Sequence, residues 1–523
     1  MSDPIEAFRW RDGVLHADEI PLPAIAEAVG TPTYVYSAPA IRAAYRRLEA
    51  AFAPIGARLH YAVKASPNTW ICRLLRGLGA GMDVVSGGEL ERAWLAGVPM
   101  ADVVFAGVGK SEAEIRAALD GRFSSLREAA ADLGAPHPAG RGPVGLLNVE
   151  SESELATIDA VGTELGIRAR ACVRVNPNVD PHTHEYTTTG KVENKFGIDA
   201  DRIVALFDAW AGRPGVELVG LHVHIGSPVP QIEPYAETIG VLGVLLDDLA
   251  ARGHRVEVLD LGGGWPVPYA EGEVPPLEAY AERIVPLLAP RVERGLRVLL
   301  EPGRSILAAA GVLLTRVEHV KRGRAKTFVI CDAGMQTLIR PSLYRAFHFL
   351  WPVRWEGPVP ARVEAPEVEG LTPCDVVGPI CETGDFLARD RPFPRVARGD
   401  LLAVFSAGAY GMSMASNYND HGRPAEVLVD GDRALRINRR QPLAAVLETE
   451  REAVELRLQP AAGSTERSLP FGAPGEAAGE AAERAAAPGG ERRDTAGGRG
   501  ETAAAPGDED GGRPARVARA SGR

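Results

Sequence analysis

Cysteine and basic charge are scarce in this sequence, and long apolar runs are missing. Five cysteines, at 72, 172, 331, 374 and 381, are spread over 523 residues, and none forms a CxxC pair or a zinc-ligand spacing. Neither a disulfide framework nor a structural metal is indicated, and a reducing, cytoplasmic setting is expected. Lys and Arg number 58 against 69 Asp and Glu, leaving a net charge of −11. That balance speaks against a nucleic-acid binder, whose affinity would rest on a basic surface. The opening MSDPIEAFRW lacks the basic start and apolar core of a secretory signal. No apolar stretch approaches the ~18 residues of a membrane span. What remains is 45% hydrophobic and 24% charged, enough to bury a sizeable core in two or three domains, or in one barrel with a partner domain.

Composition breaks near residue 460. The segment 451–523 is rich in Ala, Gly, Glu, Arg and Pro, and Phe471 is its only aromatic residue. Such a chain cannot bury enough apolar surface to offset its ordering entropy, so it is expected to be a disordered, dispensable tail. From 36 to 305, short apolar runs alternate with amphipathic stretches. The runs are 58–66, 81–87, 101–107, 145–151, 169–176, 217–226, 256–264 and 297–304. Continuous Val/Leu/Ile runs suit strands buried on both faces. Eight of them with seven intervening helices predict an α/β fold built on a (β/α)8 barrel. From 306 to 450 strand-like runs such as GVLLTRVEHVK and DLLAVFSAGAY dominate, predicting an all-β domain that strands within 1–35 join. Residues 121–144 read as a surface insertion on the barrel. PHTHEYTTTGKVENKFG, after the fifth strand, reads as a loop able to close over a site.

Polar and Gly-rich motifs fall where the barrel strands end, the end at which such barrels bind ligands. Lys64 in HYAVKASPN ends the first strand. Burial among apolar neighbours would lower its pKa and suit it to attack an aldehyde as a Schiff-base amine. The competing reading is a lysine whose ammonium reaches solvent. Gly262, Gly263 and Gly264 follow the seventh strand and EPGRS the eighth. Loops there commonly hold phosphate, with Arg304 as a charged clamp, although a glycine triplet also makes an ordinary turn. Glu301 can keep a pyridine nitrogen protonated and deepen its electron sink, or merely cap a turn. His224 and Ser227 in HVHIGS can contact a flat cofactor and its phosphate, with His222 left structural. Cys381 beside Glu382 is a proton-donor candidate, or a small packed hydrophobe. Tyr410, among small residues, reads as an aromatic hydroxyl held over a ligand.

Together YAVKASPN, GMDVVSGGEL, RVNPNVDPHTHEYTTTGKVENKFGI, GLHVHIGS, LDLGGGWPVPY, EPGRS, DAGMQTLIRPSLYRAFH, GPICETGDFLARDR and AGAYGMSMASNYNDHGRPAEVLV resemble the fold-type III, alanine-racemase-like family of pyridoxal-phosphate (PLP) enzymes, over roughly residues 10–450. Within it the chain is similar to the decarboxylases, in particular the branch that converts meso-2,6-diaminopimelate to L-lysine and CO2, the last step of lysine biosynthesis. The resemblance implies that Lys64 carries PLP and that Asp83, His224, Ser227, Gly262 to Gly264, Glu301, Gly303, Arg304 and Tyr410 surround it. It implies a substrate set of Arg304, Arg340, Tyr344, Glu382 and Tyr410. Cys381 is implied as the general acid, delivered from the second subunit of a homodimer with shared active sites. Alternatives are decarboxylation of ornithine, arginine or lysine, a racemase of the same fold, or a non-catalytic PLP-binding protein. An acidic partner for the ring nitrogen favours loss of CO2 over racemisation. A distal amino-acid head, carrying both a carboxylate and an ammonium, asks for an arginine such as Arg340 as well as an acid such as Glu382.

Overall fold

The computed structural model describes residues 7–122, 142–181, 195–272 and 274–450. The expected tail and nearly all of the expected insertion and closing loop lie outside them.

Eight parallel strands close into a barrel: Arg58–Ala62, Gly81–Val84, Val103–Phe105, Leu146–Val149, Ala169–Asn176, Val216–His222, Val258–Asp260 and Arg297–Leu300. Each pairs with the next in sequence, and the eighth pairs with the first, Leu300 opposite Leu59, which completes the ring. Seven fall inside the apolar runs and the sixth begins one residue early, at Val216, but most end earlier than the runs do. The trailing residues, such as His224–Gly226 and Gly262–Gly264, leave the strands and become the loops of the barrel mouth.

Among the described residues seven helices connect the strands, and local chemistry starts several of them. Asn68, Ser86, Ser111 and Ser151 each accept a backbone N–H of the first turn with their own side chain, satisfying a donor the helix cannot. At Ser111 the Glu114 carboxylate reciprocates, completing a capping box.

The lumen is filled. Val104, Leu146, Cys172, Val219, Val258 and Leu299, one from each of strands three to eight, form a buried cluster distinct from the main core. Strand side chains alternate, so the residue two places on points the same way, one layer nearer the mouth. Asn148 follows Leu146 in this sense, Arg174 follows Cys172, Asp260 follows Val258, and Glu301 follows Leu299. An apolar plug thus carries a polar layer.

The second body is a β-sheet in which Gly311–Arg322 is central, flanked by Thr327–Cys331, Leu401–Val404 and Thr33–Ser37. Thr33–Ser37 straddles the expected boundary at 35/36 and lies between Gly311–Arg322 and Ala425–Asp430. The strands Phe8–Arg11, Val14–Ala17 and Ile20–Pro21 form a small antiparallel sheet of their own. It is tied to the β domain by Leu15 N–H to Val353 O at 2.8 Å and Trp355 N–H to Gly13 O at 2.8 Å. Among the described residues no helix is long and apolar enough to cross a membrane.

Candidate active site

The polar layer at the barrel mouth concentrates ionisable groups. Asp83, on the second strand, is fully buried, and its Oδ2 accepts from Lys64 Nζ at 2.7 Å. Its Oδ1 is buried without a hydrogen-bond partner. Glu301 is 3% exposed. Asn148 Nδ2 donates to Glu301 Oε1 and to Asp260 Oδ2, at 3.2 Å each. His222 Nε2 lies 3.6 Å from Glu301 Oε2, which places the residue assigned no role in the sequence beside the site. Burial, reinforced by Asp83, pushes the Glu301 carboxyl up to about 7. Burial also lowers His222 to about 4, so its ring is neutral.

Lys64 lies in the short helical turn Val63–Ala65 after the first strand. The expectation of a lowered pKa is overturned. Burial does push the ammonium down, but the carboxylates of Asp83 and Glu301 oppose it more strongly, and the pKa is raised. The sequence showed the apolar neighbours of Lys64, while its counter-charges come from other strands.

The glycine turn forms a tight backbone cradle. A Cβ on Gly263 would stand 2.4 Å from Glu301 O, so no other residue fits there without displacing backbone. Gly263 N–H donates to His224 Nδ1 at 3.1 Å, which fixes the acceptor nitrogen of a ring that burial keeps neutral. Arg304 Nε donates to Ser227 Oγ at 3.2 Å, and Nη1 to Tyr269 OH at 2.6 Å. Gly303 packs closely on the turn that carries Lys64, since a Cβ there would touch Ala62 and Ala65 at 3.0 Å.

The β domain supplies another wall. The helix Arg340–Tyr344 places its two end residues on one face. Arg340 is 5% exposed, donates from Nε to His348 Nε2 at 3.3 Å and lies 5.0 Å over the Tyr269 ring. Among the described residues it has no carboxylate partner. Tyr410 holds its backbone at φ +56°, an uncommon conformation for a non-glycine residue. Its N–H donates to Ala65 O at 2.8 Å, and Arg304 lies 4.8 Å from its ring.

Cys381 and Glu382 are not joined to this cluster by any hydrogen bond or ion pair of the described residues. Cys381 is exposed, and its N–H donates to Asn419 Oδ1 at 3.4 Å. Glu382 accepts from Tyr418 OH at 2.9 Å. Sequence reasoning passed over Asn148, Asp260, Tyr269 and His348. For the first two the signal was present, as single polar residues at the lumen-facing positions of apolar strands.

These residues fit a cofactor with an aldehyde, a phosphate and a ring nitrogen: an amine at the mouth, backbone donors with Ser227 and Arg304, and a buried acid. The family described as "Pyridoxal-dependent decarboxylase, pyridoxal binding domain" matches residues 39–308. A Pseudomonas aeruginosa protein named diaminopimelate decarboxylase is 45% identical over 438 residues, covering 84% of this chain and 97% of that one. The Aquifex aeolicus protein of the same name is 39% identical over 441 residues, covering 84% and 96%. The crystal structure of diaminopimelate decarboxylase from Helicobacter pylori complexed with L-lysine superposes with a TM-score of 0.71 at 36% identity, covering 82% of this chain and 99% of that one.

Proposed function

The chain belongs to the diaminopimelate decarboxylase family of pyridoxal-dependent enzymes, and on that premise we propose that it removes CO2 from meso-2,6-diaminopimelate to give L-lysine, with its site residues acting as follows. Lys64 holds the cofactor aldehyde through its ε-amine. Gly262 to Gly264, Gly303, Ser227 and Arg304 would hold the phosphate, His224 would contact the ring, and Glu301 would partner the ring nitrogen. PLP, when bound, supplies an electron sink for the pair left at Cα when the Cα–carboxylate bond breaks. Asp83 positions Lys64 through their 2.7 Å contact. Tyr410 and Arg304 shape the substrate end of the cofactor cavity. Arg340 and Tyr344 take the distal carboxylate, and Glu382 the distal ammonium. Cys381 gives its thiol proton to Cα, so that the C–C bond lost is replaced by a C–H bond.

Cys381 and Glu382 come from a second copy of the chain in this reading, a homodimer with shared sites. Its support is that, among the described residues, neither is bonded to the Lys64 cluster of its own chain, and that Cys381 is exposed. We also place the enzyme in the cytoplasm, in keeping with five free cysteines.

The observation that carries the substrate choice is Arg340, a buried guanidinium without a carboxylate partner among the described residues. A buried arginine left unpaired is costly, so substrates lacking a distal carboxyl are rejected. The test is a side-by-side assay of CO2 release from meso-diaminopimelate, L-lysine, L-ornithine and L-arginine. Preference for diaminopimelate by orders of magnitude is expected. Preference for any of the other three, or scrambling of the α-centre without CO2 release, overturns the reading.

A further inference from the structure

The buried charges at the barrel mouth do not balance. Asp83 on strand two, Asp260 on strand seven and Glu301 just past strand eight are three carboxyl groups, each at most 3% exposed. The cation that faces them is Lys64. Arg174, the next guanidinium, is committed to Glu150 at 2.5 Å and to His224 O at 3.2 Å. His222 and His224 are kept neutral by burial. Tyr410 also acts on the Lys64 end, as does Glu89, whose carboxyl burial pushes up to about 7. Buried like charges without compensation are expensive, and such a site takes up a proton instead.

Geometry selects where that proton sits. An oxygen of Asp260, an oxygen of Glu301 and a ring nitrogen of His222 lie within 4.8 Å of one another. One amide group, Asn148 Nδ2, serves both carboxyls at 3.2 Å. Asp260 Oδ1 is already engaged by the Gly262 N–H at 2.9 Å, at the start of the glycine turn. We propose that Asp260 is a positioning residue for the cofactor: it stays protonated, donates a hydrogen bond to Glu301, and so holds Glu301 as the single anion aimed at the ring nitrogen, with Asn148 locking the pair in register. The proposal rests on the reading of Glu301 as the ring-nitrogen partner. Burial and the neighbouring Glu301 push the Asp260 carboxyl well above its ordinary range, in agreement with this placement.

A permanent donor on Asp260 lowers the basicity of Glu301, leaving the shared proton on the ring nitrogen rather than on the acid. Asp260 also ties that contact to the phosphate cradle through Gly262, so the two ends of the cofactor site are set by one side chain.

The test uses the holoenzyme with its natural cofactor. Infrared difference spectra of wild type against Asp260→Asn, at a pH where exposed acids are ionised, should contain a protonated-carboxyl stretch that shifts in heavy water. Asp260→Leu, which removes the donor, should change the pH dependence of the bound cofactor's absorbance and lower kcat by roughly 10–100-fold. Asp260→Asn, which keeps an N–H donor, should restore that pH dependence. No protonated-carboxyl band, or an Asn variant no closer to wild type than the Leu variant, overturns the proposal. Glu301→Gln separates the two readings. If it leaves the cofactor absorbance unchanged, the ring-nitrogen role fails, whereas the infrared band still decides the protonation of Asp260.

Discussion

Asn68 Nδ2 donates to Glu426 Oε2 at 2.9 Å, joining the loop that follows Lys64 to a strand of the β domain. Glu426 is 3% exposed and also accepts from Tyr36 OH at 2.9 Å and from Asn438 Nδ2 at 3.0 Å. Removing the carboxylate strands two buried donors, Asn68 and Tyr36, and the half-buried Asn438 at once. Glu426→Ala should lose about 2–4 kcal/mol of stability, since each unpaired buried group costs roughly 1–3 kcal/mol less what relaxation recovers. Retained cofactor should fall with it. Urea titration and the bound-cofactor absorbance check both, and a variant as stable as wild type would refute the link.

Arg340 should govern substrate and not cofactor. Arg340→Ala is expected to lower kcat/KM for diaminopimelate by roughly 10²–10³-fold, the scale of a lost charge-assisted pair, with the bound-cofactor spectrum intact. A variant that loses nothing on diaminopimelate would end the assignment.

Asp83 raises the Lys64 pKa, so neutralising it should release the amine. In Asp83→Asn the fraction of unprotonated Lys64 near neutral pH rises about tenfold for each unit the pKa falls. Capture of added PLP by the cofactor-free variant should therefore be faster than in wild type, in a stopped-flow measurement across pH. Slower capture at every pH would show that Asp83 serves binding more than charge.

Shared sites predict complementation. Lys64→Ala and Cys381→Ala chains, each inactive alone, should regain part of the wild-type activity when mixed under conditions of subunit exchange. No recovery despite proven exchange would confine the site to one chain.

His60 is buried, and burial holds its pKa down to about 4. Its contribution is fully present above the unfolded value near 6.5. It is lost as pH falls, because the unfolded chain takes up a proton that the folded chain refuses. The penalty of His60→Gln relative to wild type should therefore be larger near pH 7.5 than near pH 5, by about 1–2 kcal/mol from the linkage over that interval. Denaturant titrations at the two pH values test this, and an equal penalty would contradict it.

Much of this protein was legible in its sequence because the barrel repeats one simple signal, an apolar run ending in a polar motif. The strand that carries Asp83 and the one that Glu301 directly follows both fall inside the runs, and Lys64 lies just past the end of another. Asn148 and Asp260 escaped because a single polar residue in an apolar run reads as noise until the lumen-facing register is known. The raised pKa of Lys64 was illegible for a related reason, since its counter-ions stand on strand two and just past the end of strand eight. Tyr269 and His348 escaped because their partners, Arg304 and Arg340, meet only when loop and β domain pack together.

The strand Thr33–Ser37 sits between Gly311–Arg322 and Ala425–Asp430, so a segment made before every barrel strand is an inner element of a sheet completed only after all of them. About 390 residues separate it from its parallel neighbour, roughly 20–80 s of synthesis at ~5–20 residues per second. During that interval the barrel strands, all encoded in between, can pair with their sequence neighbours, while TYVYS, apolar and strand-prone, waits with both ladder edges open. Until residues 425–430 are made, the growing chain is therefore open to mispairing at residues 33–37.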